Sequence, residues 1–254
     1  MKILAIHAMT GASPEFIERE REIFARYAPP DMTVDIYKIP RGSQSIESHF
    51  DEYLGSIEVF KAVKDAEKKG YDGIIITCFA NACVEPAREI THLPVIGSGM
   101  ATMSVANLLG HNFGLILAKE SSSYRHKEWA AKLGMAHKLV TIQRCDFSVL
   151  GLIQDPEATK RSFLEAARRA VDAGADVIFP GCFGLIGMAD AVRDELPVPV
   201  VDPAGAALGV IETMVRLKVG QSKLAYPYPP EKRRDYDTGY EAPKQADGAP
   251  GCCF

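Results

Sequence analysis

No apolar run in these 254 residues approaches the roughly 20 positions that a membrane-spanning helix needs. Charge of one sign is lacking too: 29 basic residues face 33 acidic ones, scattered along the chain. Without a clustered basic face there is nothing to neutralise a phosphate backbone, so no nucleic-acid partner is expected. Cys-x-x-Cys and Cys/His spacings of the zinc kind are missing. The six histidines give no metal-like spacing either: His49, His92, His111, His126 and His137 read as surface or packing residues. The one Gly-x-Gly, at Gly97-Ser98-Gly99, is too short for a dinucleotide fingerprint and follows the wrong kind of strand. The chain is also far too long to need disulfide staples, so its six cysteines read as reduced thiols, which fits a cytoplasmic protein. The start, KILAIHA, reads as a buried first strand and not as a leader. Cys252 and Cys253 miss the prenylation pattern, which puts its Cys fourth from the end, where Gly251 stands.

What is present is a regular alternation. Short apolar runs rich in Ile, Val and Leu occur at 2–8, 33–39, 72–79, 94–98, 112–118, 138–144, 176–183 and 197–202. Several are apolar throughout, as strands covered on both faces must be. Between them lie helical patterns. One opens at Ser13-Pro14-Glu15 with a cap residue, a proline at the first helical position and an acid in the first turn. Others cover about 54–69, 83–91, 100–109, 122–133, 157–173, 185–195 and 203–218. RHKEWAAK, 125–132, reads as an exposed helix face with Trp129 packed inward. Strand–helix alternation implies βαβ units and mainly parallel sheets.

The two halves echo each other. KKGYDGIIITCFANA leads to LPVIGSGMATMSVA, and DAGADVIFPGCFGLI leads to VPVVDPAGAALGVI. Each reads helix, Gly, Asp, apolar strand, Cys-Phe, helix, Pro-Val strand, small-residue helix. The expected fold is therefore α/β with two pseudo-symmetric lobes, parallel sheets flanked by helices, and a site in the cleft between them. Lobe one takes 1–100 and 203–220, lobe two 101–202, and 221–254 forms a wrapping or partly disordered tail.

In each half a cysteine stands where a buried parallel strand gives way to a helix: Cys78 and Cys182. Strand carboxyl ends are where open α/β sheets bind ligands. Backbone N–H groups opening the next helix can hold an anion and lower a thiol's pKa. A thiolate on one side of a bound carbon could remove a proton beside a carbonyl while the opposite thiol returns one. A lone cysteine at a strand end is commonly a packing residue; two in equivalent contexts point to chemistry. Cys83 and Cys145 lack that pairing and read as structural.

The residues resemble the aspartate/glutamate/hydantoin racemase superfamily, in particular its hydantoin and allantoin racemase branch. The likeness runs through GSQSIESHFDEYL (42–54), TCF (77–79) with EPAREI and LPVIGSG, GCFGLIGMA (181–189) and QSKLAYPYPPEK (221–232). It implies two α/β lobes, no metal, no cofactor, a small-molecule substrate and a homo-oligomer, with Cys78 and Cys182 matching the two catalytic cysteines. His7 matches the first Asn of the branch's Asn-Pro-Asn, here His7-Ala8-Met9 followed by Thr10. Ala80-Asn81 replace two aspartates, Met100 a glutamate, and Leu117-Ala118 a threonine pair. These departures suggest a changed pocket. Expected substrate contacts are His7, Thr10, Phe79, Ala80, Asn81, Phe183 and Gly184, with the loop backbone holding a carbonyl or carboxylate oxygen. Asn81 could equally be a helix cap, and Glu47 reads as a solvated or salt-bridged acid. Superfamily relatives that decarboxylate malonates or isomerise a double bond remain alternatives, as does a non-catalytic binding protein.

Overall fold

The computed structural model describes residues 1–119, 121 and 123–236. Cys252, Cys253 and most of the stretch expected to be disordered lie outside the described residues. Within them are seven strands and eight α-helices in alternation: β1 (Lys2–His7), α1 (Pro14–Tyr27), β2 (Thr33–Lys38), α2 (His49–Lys68), β3 (Gly73–Ile76), α3 (Val84–Ile90), β4 (Val95–Gly97), α4 (Ser98–Leu109), β5 (Phe113–Leu117), α5 (Ser123–Lys132), β6 (Leu139–Arg144), α6 (Pro156–Asp172), β7 (Val177–Pro180), α7 (Met188–Val192) and α8 (Pro203–Arg216).

All strand pairs are parallel, in two sheets ordered β2-β1-β3-β4 and β6-β5-β7. The two orders superpose if β1 is matched to β5 and β3 to β7. Strands β3, β5 and β7 are buried at every position, because helices cover both faces and leave no polar side to alternate with. The run 197–202 would be the fourth strand of the second sheet, but it forms only the bridge Ile178–Val200. Pro197 and Pro199 remove two ladder donors there, whereas in the first sheet the single Pro94 precedes β4.

The cap chemistry fixes most helix starts. Ser13 accepts from the Phe16 amide at 3.2 Å and Pro14 opens α1; Asp155 and Pro156 do the same for α6. α2 begins at His49, five residues before the expected 54, because Ser48 and Asp51 form a reciprocal capping box. The helix expected over 185–195 breaks into short pieces: a 3-10 turn at Phe183–Leu185, the five-residue α7, and another turn at Arg193–Glu195. Gly187, at φ 80°, interrupts it in the left-handed region.

One apolar cluster joins the halves, with Ile75 of β3, Ile116 of β5, Ile178 of β7 and Leu208 of α8 all buried in it. The small-residue helices α4 and α8 pack on each other; α8 also packs on β3, β4 and α1, and α4 on β4 and β7. After α8 the chain runs along β4. The Gln221 side chain accepts from the Val95 amide and donates to its carbonyl, each at 2.9 Å, pairing an otherwise open sheet edge. No helix among the described residues is long and apolar enough to cross a membrane.

Candidate active site

The two cysteines hold equivalent positions, each the second residue past its strand. Thr77 extends the β3 ladder by donating its amide to Ile6 O at 3.0 Å, and Gly181 extends β7 by donating to Ile116 O at 2.6 Å. The chain then turns. The carbonyl of Cys78 accepts from the Asn81 amide at 2.8 Å, and that of Cys182 accepts from the Leu185 amide at 3.0 Å. In both turns the amide two residues on, Ala80 or Gly184, donates to the cysteine sulfur. Both cysteines line one cleft of about 570 Å3, its open mouth included, a size suited to a small organic molecule. Both are half-buried and unpaired.

Burial pushes both thiols up, Cys182 to about 12. The sequence suggested the opposite, a helix-end field lowering them. The structure corrects this because desolvation of a thiolate between two sheets outweighs the few amides that reach it. At Cys78 the guanidinium of Arg125 and the amides of Ala82 and Ala80 work against burial, while Glu52 adds to it. At Cys182 the Gly184 amide opposes burial, and Cys78, Cys145 and Glu47 push further up.

Of the expected contacts, His7, Phe79, Ala80, Phe183 and Gly184 line the cleft with the cysteines; Thr10 and Asn81 are not among the lining residues. Thr10 donates both its amide and its hydroxyl to Ser43 O, at 2.9 and 3.1 Å, and so ties two loops together. Asn81, at φ 55°, turns its Oδ1 to the Met100 amide at 2.8 Å. It is indeed a cap, but of α4, whose own N-cap is the side-chain-free Gly97. Here Gly97-Ser98-Gly99 finds its role. A Cβ on Gly99 would sit 1.8 Å from Phe79 O, and one on Gly97 would sit 2.3 Å from Asn81 Oδ1. Bare backbone lets the Cys78 turn pack against α4.

His7, the last residue of β1, lines the cleft. It is buried, as is Glu20 of α1, and its Nδ1 lies 3.3 Å from Glu20 Oε2. The Thr77 hydroxyl is also 3.3 Å from Nδ1 and itself donates to Ile6 O at 3.2 Å. Thr77 can therefore only accept from the ring, which puts a proton on Nδ1. His7 Nε2 has no partner among the described residues, and an unmet buried polar atom costs about 1–3 kcal/mol.

Sequence reasoning missed Glu20, Glu52, Arg125 and His126. RHKEWAAK is not an exposed face at its start: Arg125 and His126 are buried and line the cleft. His126 Nε2 lies 3.0 Å from Gly181 O, and its ring stacks on Phe79 at 5.7 Å. Arg125 donates to Glu52 Oε2 at 2.6 Å, while Glu52 Oε1 accepts from the Cys83 amide at 2.8 Å. Glu47 lines the cleft too. A charged residue on an amphipathic helix ordinarily points to water, and only the tertiary partner shows otherwise.

The Asp/Glu/Hydantoin racemase family model matches residues 3–211. The chain belongs to that family. It is 33% identical to the hydantoin racemase of Pseudomonas sp. (strain NS671) over 235 residues, 91% of this chain and 93% of that protein. It is 31% identical to the hydantoin racemase of Paenarthrobacter aurescens over 76% of this chain and 83% of that one. Among solved structures, allantoin racemase from Klebsiella pneumoniae is similar with a TM-score of 0.87 and 25% identity, covering 93% of this chain and 96% of its own. The fold is that of the racemase structures, and the chain is an isomerase of the racemase class.

Proposed function

We propose that this racemase inverts a carbon next to a carbonyl in a small hydantoin-like or amino-acid-like compound, using Cys78 and Cys182 as the two bases. One thiolate takes the proton from the carbon, leaving an enolate; the opposite thiol gives its proton to the other face. The sulfurs exchange roles, and bonds and protons balance without an outside reagent. The observation that carries this reading is the equivalence of the cysteines: each stands two residues past its strand, receives the amide two residues on, and lines the same cleft from its own half. The names of the hydantoin and allantoin racemases it resembles support the substrate class. The apolar lining from Met9, Ile46 and Val149 suits an alkyl or aryl substituent on the inverted carbon.

The test is α-proton exchange in D2O, followed by NMR with optical rotation, on enantiopure 5-substituted hydantoins, allantoin and amino acids. Exchange with loss of rotation, abolished by either Cys78→Ser or Cys182→Ser, is expected. Exchange and racemisation that survive both substitutions would sink the two-thiol mechanism.

A further inference from the structure

Two thiols that work on opposite faces of one carbon must each come within about 3–3.5 Å of it, and a misplacement of about 1 Å can cost about 100-fold in rate. Each cysteine is carried by its own sheet, Cys78 past β3 and Cys182 past β7. The gap between the sulfurs is therefore set by whatever ties one turn to the other. His126 of α5, which lines the cleft with both cysteines, touches both turns. Its Nε2 lies 3.0 Å from Gly181 O, the carbonyl immediately before Cys182. Its ring stacks on Phe79, the residue immediately after Cys78, at 5.7 Å between centroids and 27° between planes. A carbonyl can only accept, so Nε2 carries a proton whether the ring is neutral or charged. Phe79 also stacks on Phe179 of β7 at 5.9 Å, and Phe179 meets Phe113 of β5 edge-on at 5.6 Å. All four rings are buried, and they run from the turn of Cys78 into the sheet that carries Cys182. The helix α5 packs on β6 of that second sheet, and Arg125, next to His126, is bound to Glu52 of α2. The bracket that His126 forms is thus anchored in both halves.

We infer that His126 is the positioning residue that sets the gap between the two thiols: its Nε2–H holds the turn of Cys182 and its ring face holds the turn of Cys78. The role rests on the two-thiol reading above and needs no contact between His126 and the substrate. Without it, a thiolate still takes the proton from the carbon, but the opposite thiol stands at the wrong distance to deliver its own. The first thiol then trades its proton with solvent and returns one to the same face. Exchange outruns inversion, whereas a plain loss of folded protein lowers both alike.

The experiment uses the full chain and an enantiopure 5-benzylhydantoin in D2O. Early-time NMR reads α-proton exchange and chiral chromatography reads inversion, each above the rate without enzyme. His126→Leu removes both contacts. Its inversion rate is expected to fall about 100-fold, the usual effect of an error of about 1 Å, while exchange falls less, so that the ratio of exchange to inversion rises at least about fivefold. His126→Gln, which keeps an N–H for Gly181 O, is expected to recover about tenfold of the lost inversion, roughly the worth of one hydrogen bond. His126→Phe keeps the stack on Phe79 but not the bond, and its ratio is expected to stay above that of wild type. Thermal melts check that each variant is folded; if His126→Leu is not, the ratio in His126→Phe decides. A folded variant in which exchange and inversion are unchanged, or fall together at the wild-type ratio, overturns the positioning role and leaves the two-thiol reading intact. Wild-type protein that exchanges no α-proton in any hydantoin overturns the racemase reading, and the role of His126 falls with it.

Discussion

Arg125 of α5 and Glu52 of α2 meet at 2.6 Å, joining a helix that follows the first strand of the second sheet to one that serves the first. Both side chains are largely out of water, and the second carboxylate oxygen of Glu52 holds the Cys83 amide at the mouth of α3. The pair therefore spans the two halves beside Cys78 and sets the charge that this thiol feels.

Breaking the pair from one side leaves a buried charge without its partner. Glu52→Ala is expected to destabilise the protein by about 3–5 kcal/mol, read as a drop in the urea midpoint at unchanged m-value. The Arg125→Met/Glu52→Met double variant is expected to recover much of that loss. A single variant as stable as wild type would show that water reaches the pair.

Raised thiols have a consequence for stability at high pH. Burial is the main cause of the upward shift at Cys78, at Cys145 and at Cys182, the last two standing at about 12. In the unfolded chain a thiol ionises near pH 8.5. Above that pH the unfolded state releases protons that the folded state keeps, so unfolding free energy falls as pH rises from about 9 to 12. Cys145→Ala, which removes one such thiol outside the cleft, is expected to make the decline shallower in urea titrations at pH 8, 9 and 10. A slope equal to wild type would mean that Cys145 ionises as freely in the fold as in the unfolded chain.

The same shifts predict slow chemistry at the resting thiols. Iodoacetamide at pH 7.5 is expected to label Cys78 and Cys182 at least tenfold more slowly than free cysteine, with the rate climbing through pH 9, because only the thiolate reacts. Mass spectrometry of the two peptides checks it, and labelling as fast as free cysteine would contradict the buried, protonated state.

Asp202 links the cap of α8 to the loop after Cys182. Its Oδ1 accepts from the Ala204 amide at 2.9 Å and its Oδ2 from the Gly187 amide at 2.6 Å. Asp202→Ala is expected to cost about 1–3 kcal/mol from the lost cap and the orphaned amide. It should also lower activity, because the turn carrying Cys182 loses its tether. Thermal unfolding together with the exchange assay separates the two effects.

Gly99→Ala tests the close packing behind Cys78. The new methyl carbon would lie 1.8 Å from Phe79 O, so the turn or α4 must move, at about 1–3 kcal/mol. Exchange activity is expected to fall with stability. The same substitution at Gly209, with nothing within 4 Å of its would-be Cβ, is expected to be harmless.

Much of this protein is legible in one dimension. The apolar runs at 72–79 and 176–183 read as strands covered on both faces, and Ser13-Pro14 marks its helix start through local hydrogen-bond chemistry, as Asp155-Pro156 and Asp202-Pro203 do in the structure. The repeat of Gly-Asp-strand-Cys-Phe determined that Cys78 and Cys182 occupy equivalent strand ends. These are short-range facts, set by periodicity and capping within a few residues. What only the tertiary structure decided are the partners brought from far along the chain. Glu20 against His7, Glu52 against Arg125, and Asn81 capping α4 in place of α3 leave no local trace, because a buried charge is stable only where a distant segment supplies its counterpart. The direction of the thiol shifts was decided there as well: the turn sequences promise amides that favour a thiolate, but the packing of two sheets around the cleft removes the water that a thiolate needs, and desolvation is the larger effect.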